Sequence, residues 1–336
     1  MKKHNIIFRA AVVLLPFIFP FLYGCESDNT VSYEDENMVF VGEYSGQGTY
    51  LHSFVKRTGS TDYLFLSGGN DGLQIFDVTQ KSQLVPIVGY NVTGYVKETY
   101  ACYIGGGTRV FTASGTGGVS VIDVSDVNSA ILDTLLALQG DDINSVFADT
   151  VSKVLYAGGS GKAMYVYDIS SLPHVSRLTA YQTFSVINEI QVKNNTAYLV
   201  QDQGIDIVDV SNPQSPSRLS QGLNDHFAYD IKFSGNIALI ANDVNGVLVL
   251  DVTNPSSPVQ LGFLSTLGPA FAVAAYGNYV YSAENNSGVE TFDISNPSNA
   301  RLLAGYSTQG NAVGITQYDG HVFVSDKTKL IILRYP

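Results

Sequence analysis

From residue 38 onward the chain is written in short runs of four to eight residues. They are rich in β-branched and aromatic side chains and bounded by Gly, Asn, Pro or Ser. Around Asp251 four such runs follow one another: Tyr229-Asp-Ile-Lys-Phe, Ile237-Ala-Leu-Ile-Ala, Val247-Leu-Val-Leu-Asp-Val and Val259-Gln-Leu-Gly-Phe. Apolar runs of this length, punctuated by turn formers, predict strands joined in hairpins. After residue 25 no window of ten or more residues carries an amphipathic period of 3.6, so helices are not expected.

The third run of the set recurs along the chain. It reads Gly72-Leu-Gln-Ile-Phe-Asp77-Val-Thr, Gly118-Val-Ser-Val-Ile-Asp123-Val-Ser, Ala163-Met-Tyr-Val-Tyr-Asp168-Ile-Ser, Gly204-Ile-Asp-Ile-Val-Asp209-Val-Ser, Gly246-Val-Leu-Val-Leu-Asp251-Val-Thr and Gly288-Val-Glu-Thr-Phe-Asp293-Ile-Ser. Successive aspartates stand 46, 45, 41, 42 and 42 residues apart. A seventh, degenerate copy, Lys329-Leu-Ile-Ile-Leu-Arg334, puts Arg334 at the Asp place. Four antiparallel strands every roughly 40–45 residues define a propeller blade, and seven copies predict an all-β, seven-bladed β-propeller. The last copy stops straight after its third strand, while Met38-Val-Phe-Val-Gly-Glu-Tyr44 precedes the first full set and reads like the fourth strands of other copies. Residues 38–44 are therefore expected to complete the last blade and close the ring. Seven blades of about 42 residues need about 294, and residues 38–336 supply 299.

The repeated phrase resembles the LVIVD repeat family, most closely at Val247-Leu-Val-Leu-Asp251 and Ile205-Asp-Ile-Val-Asp209, and in the turns Ser211-Asn212-Pro213, Thr253-Asn254-Pro255 and Ser295-Asn296-Pro297. The resemblance covers essentially residues 38–336 and implies a seven-bladed propeller on bacterial surface or exported proteins, with little assigned chemistry. Blades one to three lack the Asn-Pro turn and the last copy lacks the Asp.

Composition and charge add the compartment. Only 14% of residues are charged against 45% hydrophobic, which requires a large buried core. The net charge of −12 argues against nucleic acid or anionic lipid bound through a basic face. Lys2, Lys3 and Arg9 precede an apolar run from Ala10 to Gly24, too short for a spanning helix and interrupted by Pro16 and Pro20. Leu22-Tyr23-Gly24-Cys25 resembles the lipobox of bacterial lipoprotein signal peptides, in which the cysteine is acylated and becomes the first mature residue. The expected organisation is a signal peptide over 1–24, lipidation at Cys25, an acidic tether over 25–37 and the propeller over 38–336. Loss of the signal deepens the charge to −15. Residues 25–37 hold Glu26, Asp28, Glu34, Asp35 and Glu36 and read as a solvated tether. The expected location is the bacterial cell envelope, at the outer membrane or cell surface. Cys102, between Tyr100 and Tyr103, reads as an inert buried thiol.

The six repeated aspartates, Asp77, Asp123, Asp168, Asp209, Asp251 and Asp293, invite a metal or acid–base role. Each ends a strand and precedes Val/Ile and Ser/Thr, where a carboxylate caps a tight turn, and a ring would hold them far apart. The Gly-Asn-Asp loops, such as Asn242-Asp-Val-Asn-Gly246 and Glu284-Asn-Asn-Ser-Gly288, lack the further carboxylates of a calcium loop and suit turns with positive φ. No phosphate loop, zinc-spaced Cys/His set or nucleophile elbow occurs, so no metal, cofactor or catalytic residue is expected.

A site is expected on the face where first strands begin. Aligning those strands puts Ser53, Cys102, Ser145, Glu189, Asp230, Ala272 and Gly314 at equivalent places. His52, Asn144, Asn188 and Tyr229 come just before, with Glu98, Asp141, Asp142, Asp225 and His226 in the entering loops. Blades one to five thus bring polar groups and blades six and seven small residues. The candidate rim set is His52, Glu98, Asn144, Asn188, Glu189, His226, Tyr229 and Asp230. Absent catalytic motifs, the chain reads as a membrane-anchored binding module for an envelope protein, a peptide or a glycan. The lack of Trp weighs against a glycan. The alternative is a propeller lyase or hydrolase acting on an extracellular polymer, with His52, His226, Glu189 and Asp230 as first candidates.

Overall fold

A computed structural model of the chain describes residues 37–46, 48–138, 140–222 and 227–335. The expected signal peptide 1–24, Cys25, the tether as far as residue 36, Asp225 and His226 lie outside the described residues. Among the described residues, 28 strands form seven four-stranded antiparallel sheets. Their helical content is one 3-10 turn, Pro297–Asn299, and among the described residues no helix is long and apolar enough to cross a membrane. Six sheets take their strands in chain order: blade 1 spans residues 53–90, blade 2 98–136, blade 3 143–182, blade 4 187–222, blade 5 230–264 and blade 6 272–306. The first strand of every blade packs against the first strands of both neighbours, so these seven strands surround the axis of a seven-bladed propeller.

Burial follows from that arrangement. Second and third strands such as Thr196–Gln201 and Val247–Asp251 are apolar almost without alternation, because a neighbouring sheet covers each face. Fourth strands such as Val85–Tyr90 lie at the outer rim, with every residue exposed or half-buried. The buried apolar residues fall into seven clusters, one at each contact between neighbouring blades, so the core is itself a ring.

The six repeated aspartates stand at the ends of third strands, on the face opposite the starts of the first strands. In each, Oδ1 accepts the N–H two residues on, from Thr79, Ser125, Ser170, Ser211, Thr253 and Ser295, all at 2.8 Å. The Ser211 amide and hydroxyl hold the Asp209 carboxyl below its usual range. On the other face, the loops into the third strands use left-handed residues three apart, as at Asp243 (φ 50°) and Gly246 (φ 78°). A Cβ on Gly246 would run into the Leu264 carbonyl, where the third strand begins beside the end of the fourth.

Blade 7 is built from both ends of the chain. Gly314–Tyr318, His321–Asp326 and Lys329–Arg334 supply three strands, and Val39–Tyr44 pairs antiparallel with Lys329–Arg334 as the fourth. The register runs from Val39 opposite Arg334 to Tyr44 opposite Leu330, with a bulge between Phe40 and Gly42. Lys329 Nζ meets Glu43 Oε2 at 3.1 Å, and the Tyr44 ring packs edge-on to Phe76 of blade 1, with centroids 4.9 Å apart. Across the same seam, the fully buried Asp62 carboxylate receives Arg57 Nε at 2.7 Å and Nη2 at 2.8 Å, Lys81 Nζ at 2.6 Å and the Tyr318 hydroxyl at 2.9 Å. The Arg57 guanidinium holds this carboxyl well below the usual range. A chain lacking residues 38–44 would expose the backbone edge of Lys329–Arg334. It is expected to melt about 5 °C or more lower and to self-associate in size-exclusion chromatography; unchanged melting and a monomeric peak would contradict the closure.

Candidate functional site

The ladders between first and second strands fix which residues share a tier around the axis. Glu98 pairs with Ala113, Ser145 with Gly158, Glu189 with Val200, Asp230 with Ala241, Ala272 with Ala283 and Gly314 with Ser325, while the Ser67 N–H donates to the His52 carbonyl. The first tier is therefore His52, Glu98, Ser145, Glu189, Asp230, Ala272 and Gly314. This corrects the sequence alignment in two blades. Ser53 lies one residue further along, and Cys102 lies four further, opposite Arg109. Glu98 opens the strand Glu98–Ile104 instead of lying in a loop. The displacement of four keeps the same side of the strand, so alternation alone could not reveal it. Cys102 is buried and burial pushes its thiol up to about 11.

Two residues on, a second tier follows: Phe54, Tyr100, Phe147, Gln191, Lys232, Ala274 and Thr316. Tyr100 lies 5.0 Å from Phe54 and 4.9 Å from Phe147 between ring centroids, and this aromatic group fills the channel on the side of blades 1 to 3. Lys232 reaches back to the first tier, with Nζ 2.5 Å from Asp230 Oδ1 and 3.3 Å from Glu189 Oε1. Although burial disfavours its charge, Asp230 and Glu189 hold the ammonium well above its usual range. Sequence reasoning missed Lys232, though its place two residues after Asp230 in a strand puts both on one side.

Much of the expected rim is spent joining blade to blade. Glu98 Oε2 accepts the Val146 N–H of blade 3 at 2.9 Å, Ser145 Oγ the Ile190 N–H of blade 4 at 2.9 Å, and Asp230 Oδ2 the Val273 N–H of blade 6 at 2.9 Å. Asn144 Nδ2 donates to the Ile187 carbonyl and Asn188 Nδ2 to that of Ala228, both at 2.8 Å. Glu189 takes Gln191 Nε2 at 2.7 Å. Asp141 is buried and accepts the Gly161 N–H at 2.6 Å, and Asp142 pairs with Lys97 at 2.5 Å.

Because blades 6 and 7 contribute only Ala272 and Gly314 to the first tier, a pocket of about 260 Å³ opens there. Its polar wall holds Lys97, Glu98, Asn144, Asn188, Glu189 and Asp230, with His52 between the walls. Its apolar wall holds Tyr229 and Phe271, whose rings stack at 4.7 Å and 14°, with Leu51, Ala272 and Val313. Burial and the Glu189 charge raise the Glu98 carboxyl well above its usual range, and burial raises Glu189 also. Burial, with the Lys232 charge nearby, lowers the His52 imidazole to about 4, so the ring is neutral at pH 7. On the loops that precede Tyr229 and Phe271 and the loop into the third strand of blade 5, Phe227, Leu267 and Val244 are 51%, 53% and 73% exposed.

A family model for the LVIVD repeat matches residues 187–221, 227–266 and 267–308, which correspond to blades 4, 5 and 6. The chain thus carries LVIVD repeats within a seven-bladed β-propeller, and the matched blades are those with the Asn-Pro turn. No curated protein matches the sequence. Among solved structures, the WD40 domain of Neurospora crassa Pan2 superposes with a TM-score of 0.68 at 12% identity, covering 90% of this chain and 97% of that one; the likeness is one of fold.

The loop that delivers Phe271 hangs from two buried acids of blade 6. Glu284 Oε2 accepts the Gly268 N–H at 3.3 Å and Glu290 Oε2 the Leu267 N–H at 3.0 Å. Among the described residues neither buried Oε1 has a hydrogen-bond partner, and burial of one carboxyl beside the other favours holding one proton on the pair. Burial and the Glu290 charge raise Glu284 from 4.5 to about 9. The folded chain then keeps a proton that the unfolded chain has lost. This stability is complete below pH 4.5 and drains away as pH rises toward about 9, by up to about 1.4 kcal/mol per pH unit. Glu284→Gln is expected to flatten the denaturation profile over that range; equal slopes in both proteins would refute the shared proton.

Proposed function

We propose that this β-propeller repeat protein is a non-catalytic interaction module of the cell envelope, held to the membrane through a lipid on Cys25, with the pocket face as its docking surface. The anchor rests on the charged start, the apolar run and the Leu-Tyr-Gly-Cys sequence at residues 22–25. The docking face rests on one observation above the others. The stacked Tyr229–Phe271 pair lines the cavity, and loops of the same face carry the exposed Phe227, Val244 and Leu267, so apolar residues gather on blades 5 and 6 at this face. On the opposite face the exposed Tyr103, Val151 and Tyr276 stand on three different blades.

The polar wall supports binding over catalysis. An enzyme needs an acid and a base aimed at one bond. Here Glu98 and Asp230 hold backbone N–H groups of the next blade, and Glu189 and Asp230 share Lys232. His52 Nδ1 is buried without a hydrogen-bond partner, so no carboxylate orients the ring through it.

Two experiments test this reading. Cys25→Ser is expected to move the protein from the membrane fraction to the soluble extract, and retention in the membrane would remove the lipid anchor. Crosslinking in the native envelope is expected to capture a discrete partner with the wild-type chain. Capture should fall at least tenfold with Phe227→Ser plus Leu267→Ser, both exposed and outside the core. Equal capture by the double variant would exclude this face.

A further inference from the structure

The pocket holds more carboxyls than cations, and burial with the Glu189 charge favours the protonated form of Glu98 while no further cation is present. Glu98, Glu189 and Asp230 surround a single ammonium, that of Lys232, while the Lys97 charge is taken up by Asp142. His52 adds no positive charge at neutral pH, and its buried Nδ1 has no partner. Across the cavity lie the stacked rings of Tyr229 and Phe271, whose faces carry negative quadrupole potential and attract cations. The Glu98 and Asp230 carboxyls are held in place by N–H groups of neighbouring blades, so neither is free to turn away from the cavity. At about 260 Å³ the cavity lies below the roughly 300–1,000 Å³ of small-molecule sites, which suits one side chain better than a nucleotide or an oligosaccharide.

We propose that the pocket receives a single basic side chain, Lys or Arg, from an exposed peptide segment of the partner. Its charged end lies against Glu98 and its aliphatic stem along Tyr229 and Phe271. This rests on the reading that the pocket face docks a partner, and it adds the chemistry by which that partner is recognised. The residues flanking the basic one would then lie on Phe227, Val244 and Leu267. A cation beside Glu98 favours its ionised form, so binding near neutral pH releases a proton from that carboxyl to solvent.

The test uses the full chain in detergent and three capped peptides, acetyl-Ala-Lys-Ala-amide, acetyl-Ala-Arg-Ala-amide and the isosteric peptide with citrulline, titrated calorimetrically in buffers of different ionisation enthalpy. At least one basic peptide is expected to bind saturably with proton release, and the citrulline peptide at least tenfold more weakly. Glu98→Gln, which keeps an acceptor for the Val146 N–H, should abolish the proton release and weaken binding at least tenfold. Ala272→Leu should block binding by filling the cavity; the melting temperature of each variant is measured alongside, and either variant suffices if the other fails to fold. Equal binding of the citrulline peptide, binding indifferent to the folded variants, or no heat from either basic peptide at millimolar concentration would each overturn the proposal. If envelope crosslinking still depends on Phe227 and Leu267 in that case, the docking face stands and only the basic side chain falls.

Discussion

A ring of sheets is stable only when its last sheet has something to pair with, and here the two ends of the chain meet that need together. Val39–Tyr44 lies beside Lys329–Arg334, so the strand that closes the ring arrives from almost three hundred residues away. Every other feature depends on that junction. Each of the seven apolar cores lies between two blades, and opening the ring at one seam would uncover two faces at once. Asp62 secures the same seam. A buried carboxylate with four hydrogen bonds from three side chains binds strongly when all are present and is costly when one is lost, because its charge has no access to water.

The repeat makes the scaffold, and departures from the repeat make the site. Seven identical first strands would put one side chain type around the axis and leave either a filled channel or a symmetrical one. Instead Phe54, Tyr100 and Phe147 fill one side while Ala272, Ala274 and Gly314 empty the other. The cavity is a consequence of that imbalance, and its walls differ because the blades on either side differ.

Acidic residues show how far position decides role. The six aspartates at the ends of third strands recur in the sequence and act one per blade, each capping its own turn. The acids that shape the pocket recur in no phrase. Glu98, Glu189 and Asp230 meet only around the axis, where burial and mutual charge change their protonation. Glu284 and Glu290 meet across adjacent strands and hold the loop that brings Phe271 to the cavity.

The number of blades, the strands within each and the terminal strand that closes the ring were all legible in the chain, because each depends on local runs and on a period that repeats. The turn chemistry of the aspartates was legible for the same reason: the acceptor and the donor are two residues apart. What the tertiary structure alone decided was which residues share a tier. Alternation has a period of two, so a slide of four residues, the difference between Cys102 and Glu98, leaves the pattern unchanged, and only the hydrogen-bond ladder sets it. The stitches from Glu98 to Val146 and from Asp230 to Val273, the reach of Lys232 to Glu189 and the stacking of Tyr229 on Phe271 join residues more than forty apart whose proximity no local pattern encodes. Local rules fixed the blades, and the closing of the circle fixed what faces what.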